Sequence, residues 1–122
     1  MTQHLYILTG GSRGLGLAMA QQLLQPGNTL ISMARRTSAD LAAPAGATLE
    51  QWPLDLSDGA AVAAHLRDWL LRQPAGQYAS ATLINNAGVI PRIAPLSACA
   101  EEADRTDLAN ALRVGLEAPM QL

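Results

Sequence analysis

The stretch LTGGSRGLG at residues 8–16 sets Gly10, Gly11, Gly14 and Gly16 directly behind an apolar run, with Ser12 and Arg13 between them. Glycine lacks the Cβ that would hold a bulky anion away from backbone N–H groups, and a helix starting after such a turn adds the positive end of its dipole. The chemistry on offer is the binding of a phosphate or pyrophosphate. The spacing of Gly10, Gly14 and Gly16 is not G-x-G-x-x-G, and no Lys-Ser or Lys-Thr pair follows as in a P-loop. A plain tight turn is the competing reading.

Three further groups of residues bear on that choice. In MARR, Arg35 and Arg36 lie about twenty residues beyond the glycines and Ala34 stands where a carboxylate would be. A site for NAD needs an acid there for the ribose hydroxyls, whereas a site for NADP needs a cation for the 2′-phosphate. A charge-assisted hydrogen bond of about 1.5–3 kcal/mol favours the phosphorylated cofactor by roughly ten- to a hundredfold, and Arg13 in the glycine turn adds a third cation. Solvated surface arginines are the alternative. In LDLSD, Asp55 stands at a predicted strand end, placed to accept from an adenine amino group, with Leu56 beside it; a surface turn is the plainer reading. NNAG contributes Asn86, whose amide can tie loops together, and Ala87 and Gly88, which leave room for a ribose and phosphates.

Acid–base and metal chemistry have less support. His4 stands at the start of the first predicted strand, at the far end from the glycines, and His65 adjoins the apolar stripe of a predicted helix. Tyr6 reads as a strand residue and Tyr78 as a turn residue, Asp55 and Glu117 are too isolated to be argued as an acid/base pair, and metal-ligand spacing is absent.

The elements that must hold these groups alternate. A first strand is expected at about His4 to Thr9, then a helix with Leu15, Ala18, Met19 and Leu23 on one face, stopped by QPGN. TLISMA at 29–34 reads as a second strand, and a third ends near Asp55, with Ser57 expected to cap a helix whose inward stripe is Val62, Leu66, Trp69 and Leu70. ATLINNAG at 81–88 reads as a fourth strand running into a turn. A last helix is expected from about Glu101 to Asp104 onward, with Leu108, Leu112 and Leu116 on one face. The connections are too long for hairpins, so the strands are expected in parallel, in the order 3-2-1-4, with a crevice at their carboxyl ends beside strands 1 and 4.

Composition bounds the rest. The chain has 122 residues, the length of one ordinary domain, with no Phe and a formal net charge of −2. No basic cluster is long enough to follow a nucleic-acid backbone. A lone Cys99 excludes an intrachain disulfide or a cysteine-built metal cage. No run suits a bilayer span or a signal peptide, so a cytoplasmic protein without membrane partners is expected.

Taken together, TGGSRGLG, LDLSD and NNAG resemble the turn, adenine-side and strand-4 motifs of the classical short-chain dehydrogenase/reductase family, and the resemblance covers nearly the whole chain. It implies a three-layer α/β/α Rossmann-type doubly wound sheet, here its first half, and reversible carbonyl-to-alcohol reduction of a small molecule. The arginines resemble those of NADP-preferring members. Carried over, the cofactor residues are Gly10, Ser12, Arg13, Gly14, Leu15, Gly16, Arg35, Asp55, Leu56, Asn86, Ala87 and Gly88. Relatives commonly form homo-oligomers.

The family's catalytic Ser and Tyr-x-x-x-Lys have no counterpart before Leu122, and the chain contains no Lys. Gly115 stands where many members carry an active-site Asn; with Pro119 four residues on, a glycine there also suits a bent helix. Two functional readings follow. In the first, the chain is the N-terminal part of an NADP-dependent reductase, incomplete at its C-terminus and lacking catalytic residues of its own. In the second, it is a short non-catalytic dinucleotide-binding protein whose sheet is completed by a partner chain.

Overall fold

The computed structural model describes residues 3–87, 113–114 and 120. Along them run β1 (His4–Thr9), α1 (Gly14–Leu23), β2 (Asn28–Ala34), β3 (Thr48–Pro53), α2 (Gly59–Leu71) and β4 (Ser80–Asn85). The strands form one parallel sheet in the expected order, β3-β2-β1-β4. Thr9 lies opposite both Met33 and Asn85, and Met33 opposite Trp52, so the four carboxyl ends open on one side. The expected last helix, with Leu108, Leu112 and Leu116, lies outside the described residues apart from Arg113 and Val114; Cys99 and Gly115 lie outside them altogether.

Strand alternation divides the core between the two faces. Leu5, Ile7, Ile31, Met33 and Trp52 pack with Val62, Leu66 and Trp69 of α2. Leu8 and Leu30 pack on the other face with Ala20 and Leu24, and the buried Leu41 joins them from the connection after β2. β2 is buried along almost its whole length, as a central parallel strand covered on both faces should be.

Three local expectations are corrected. The buried face of α1 is Gly16 and Ala20, continued by Leu24, while Leu15 is 71% exposed and Ala18 is exposed. Small residues four apart let the helix approach the sheet closely, and this outweighs the larger apolar side chains one residue earlier. The cap of α2 is Asp58, whose carboxylate accepts from the Ala61 N–H at 3.2 Å. Ser57 is occupied instead by Asp55, donating to it from both backbone and hydroxyl. Leu70 is 43% exposed, because Val62, Leu66 and Trp69 complete the stripe and Leu70 lies about 100° past Trp69.

Replacing Ala20, fully buried, by Leu overfills the contact between α1 and the sheet and is expected to cost about 1–3 kcal/mol in urea unfolding. Leu15→Ala is expected to stay within about 0.5 kcal/mol of the parent. The reverse ranking would put the packing face of α1 where Leu15 is.

Candidate functional site

The site begins with a junction between the ends of β1 and β4. The Thr9 hydroxyl accepts from the backbone N–H groups of both Asn86 and Ala87, each at 3.1 Å, and the Asn86 side chain donates to the Gly10 carbonyl at 3.3 Å. The Gly10 N–H donates to Met33 of β2 at 2.7 Å, so the turn leaves the sheet from a fixed point. Gly10 has φ +76°, and a Cβ on it would lie 2.9 Å from the Ala87 Cα. On Gly16 a Cβ would meet the Gly10 carbonyl oxygen and stand 2.6 Å from the Asn86 amide nitrogen. Neither glycine can carry a side chain unless the junction opens.

Above this junction the first turn of α1 faces outward. Its N-cap residue, Arg13, makes no side-chain cap hydrogen bond, and the turn holds no acidic residue. A Cβ on Gly14, at φ +58°, would meet nothing within 4 Å. The first N–H groups of α1 thus border open space with positive potential, whereas those of α2 are capped by a carboxylate.

The surrounding cleft, of about 1010 Å³, lies at the carboxyl ends of all four strands. Eleven of the twelve sequence-derived site residues line it: Gly10, Ser12, Arg13, Gly14, Leu15 and Gly16 from the turn and α1, Arg35 after β2, Asp55 and Leu56 after β3, and Asn86 and Ala87 after β4. Gly88 lies outside the described residues. Arg36, Thr37 and Ser38 line the cleft as well. Asp55 Oδ1 accepts from the Ser57 N–H at 2.9 Å and from its hydroxyl at 2.7 Å. These bonds, with a smaller contribution from the charge of Arg35, hold the Asp55 carboxyl below its ordinary value.

Thr37, Ser38 and Thr9 are participants that sequence reasoning does not single out. The only signal for Thr9 is its place as the first letter of TGGSRGLG, since its partners lie 77 and 78 residues away. His4 is paired with Ser80, Nδ1 to Oγ at 2.6 Å, at the opposite end of the sheet, and the His65 ring packs edge-on against Trp52. Among the described residues no three His, Cys, Asp or Glu side chains converge on a metal position.

The sequence matches the short chain dehydrogenase family model over residues 4–122. The chain belongs to the short-chain dehydrogenase/reductase family. A benzil reductase ((S)-benzoin forming) of Bacillus cereus is 32% identical over 95% of this chain and 46% of its own length. Its counterpart in Bacillus subtilis (strain 168) is 33% identical over 97% of this chain and 45% of its own. The chain therefore spans about half the length of the curated relatives it matches. Among solved structures, a short-chain dehydrogenase/reductase of Burkholderia vietnamiensis superposes with a TM-score of 0.79 at 39% identity, covering 97% of this chain and 55% of that one. A metagenomic short-chain oxidoreductase in complex with NADP superposes with a TM-score of 0.77 at 29% identity, covering 100% and 54%.

Two measurements check the junction and the acid. Thr9→Val strips the acceptor from two N–H groups and is expected to cost about 2–6 kcal/mol of stability, at about 1–3 for each donor left unpaired, with Thr9→Ser restoring most of it. Because the Asp55 value is lowered on folding, its stabilising contribution is complete above the ordinary value of 3.8 and is lost as pH falls through the folded value. Asp55→Asn should therefore flatten the acid limb of the stability curve below about pH 4 and leave its shape at neutral pH unchanged.

Proposed function

We propose that these residues are the cofactor-binding part of an NADP-dependent short-chain dehydrogenase/reductase that interconverts carbonyl and alcohol groups by hydride transfer. The observation that carries the reading is the set of arginines around an uncapped helix start: Arg13 in the turn, and Arg35 and Arg36 at the mouth of the same cleft, with Ala34 in place of an acid. A ribose with free hydroxyls gains little from this arrangement, whereas a 2′-phosphate gains charge-assisted hydrogen bonds. The NADP complex of the metagenomic relative supports the same choice, and the two benzil reductases support carbonyl reduction as the reaction class.

The residues present fit such a cofactor. The uncapped N–H groups of α1 and the open space at Gly14 suit the pyrophosphate, with Ser12 and the exposed Leu15 at its flank. Asp55, held ionised by Ser57, presents Oδ2 as an acceptor for the adenine amino group, and Leu56 forms an apolar floor beside it. Ala87 keeps the wall next to Gly10 thin, and Gly88 joins the cofactor residues on its sequence motif alone. When bound, the nicotinamide supplies the hydride donor or acceptor. Protonation of the developing alkoxide falls to groups with no counterpart among these 122 residues, because the chain has no Tyr-x-x-x-Lys.

Titration with NADPH and with NADH, followed by nicotinamide fluorescence, tests the reading. NADPH is expected to bind about ten- to a hundredfold more tightly, and Arg35→Ala to remove most of that margin while changing NADH affinity less than about twofold. Equal affinity of the parent for the two cofactors would overturn the assignment.

A further inference from the structure

The segment carrying Arg35 and Arg36 is fastened at two points. At its start, the Ala34 carbonyl accepts from the Leu54 N–H at 2.9 Å. At its end, the Gln51 side chain on β3 makes a reciprocal pair with the Ser38 backbone: the Ser38 N–H donates to Oε1 at 2.7 Å, and Nε2 donates to the Ser38 carbonyl at 3.0 Å. Between these points the backbones of Arg35, Arg36 and Thr37 make no hydrogen bond among the described residues. The path beyond Ser38 is held too, by the Asp40 N–H donating to Ser38 Oγ at 3.2 Å and by the buried Leu41. The primary amide of Gln51 thus pairs with Ser38 as another strand would, beyond the point where the β2–β3 ladder ends at Ala34 and Pro53.

We infer that Gln51 is a positioning residue for cofactor choice: without touching the cofactor, it fixes the segment that presents Arg35 and Arg36 to the 2′-phosphate. The inference rests on the NADP reading above. A glutamine suits this role because only a primary amide offers one acceptor and one donor at the spacing of a peptide N–H and C=O. Two long cationic side chains on a three-residue span lose less freedom on binding when both ends of the span are already fixed.

The test is a cycle of NADPH and NADH titrations on the full chain with Gln51→Leu, Arg35→Ala/Arg36→Ala, and all three substitutions together. Gln51→Leu is expected to lower the NADPH-to-NADH affinity ratio by about tenfold in the parent and to leave it unchanged once both arginines are gone. A purely structural contribution would instead weaken both cofactors alike, and that result, or an unchanged ratio, overturns the inference while the arginine effect stands. A parent with no preference for NADPH overturns the NADP reading, and this inference falls with it. Amide exchange on the parent gives a check that requires no variant. The Ser38 N–H should exchange much more slowly than those of Arg36 and Thr37, and equal rates would show that the Gln51 pair does not hold the segment.

Discussion

The cleft depends on how closely the first turn after β1 can lie against the turn after β4. Gly10 and Gly16 stand so near one another, and so near Asn86 and Ala87, that a single added carbon at either would force the two turns apart. Thr9 supplies the complementary attraction, one hydroxyl accepting from two N–H groups of the neighbouring turn. Steric room and hydrogen bonding therefore act at the same place, the point where the strand order reverses. In a doubly wound sheet the crossover helices leave toward opposite faces there, which opens a crevice between them. The junction closes the floor of that crevice, and the turn above it places the start of α1 at the rim.

Charge in the cleft is distributed to match. Among the described residues, α1 and α2 have opposite arrangements at their N-termini: α2 is neutralised by its own Asp58, and α1 has neither a capping side chain nor an acid in its first turn. A buried helix start left like this would carry the penalty of unpaired donors, but at Gly14 it meets open space. Arg13, Arg35 and Arg36 add full positive charges around it, and Asp55, after the strand paired with that of Arg35, is the ionised counterweight. On the NADP reading proposed above, such a cleft would discriminate among anions by where their charges lie, because Arg13 and the Arg35–Arg36 pair sit on two loops that follow different strands.

The sequence revealed most where a property was local. Strand-like runs bounded by turn signals mark all four strands, connection length implies parallel pairing, and the doubly wound pattern supplies the order of the sheet. The residues lining the cleft were legible because each motif follows a strand end. The misses share another cause. Periodicity weights Leu15 above Gly16 and Ala20, yet close helix–sheet contact selects small residues. Ser57 and Asp58 are equally good caps by type, and only the competing bond to Asp55 separates them. Thr9 and Gln51 act through partners far along the chain, which no local pattern encodes.

β3, at the edge of the sheet among the described residues, supports a site that it does not itself form. Its neighbours Glu50 and Gln51 point to opposite faces, as successive strand residues must. Glu50 receives the indole N–H of Trp52 at 3.3 Å and that of Trp69 at 3.0 Å, which ties α2 to the sheet. Gln51 receives and donates to Ser38, which ties the arginine segment to the other face. An edge strand has backbone pairing on one side only, so packing alone would leave the elements above and below it loosely placed. Directional side-chain bonds on both faces remove that freedom. The outermost strand thereby fastens α2 on one face of the sheet and the arginine segment on the other, through two adjacent residues.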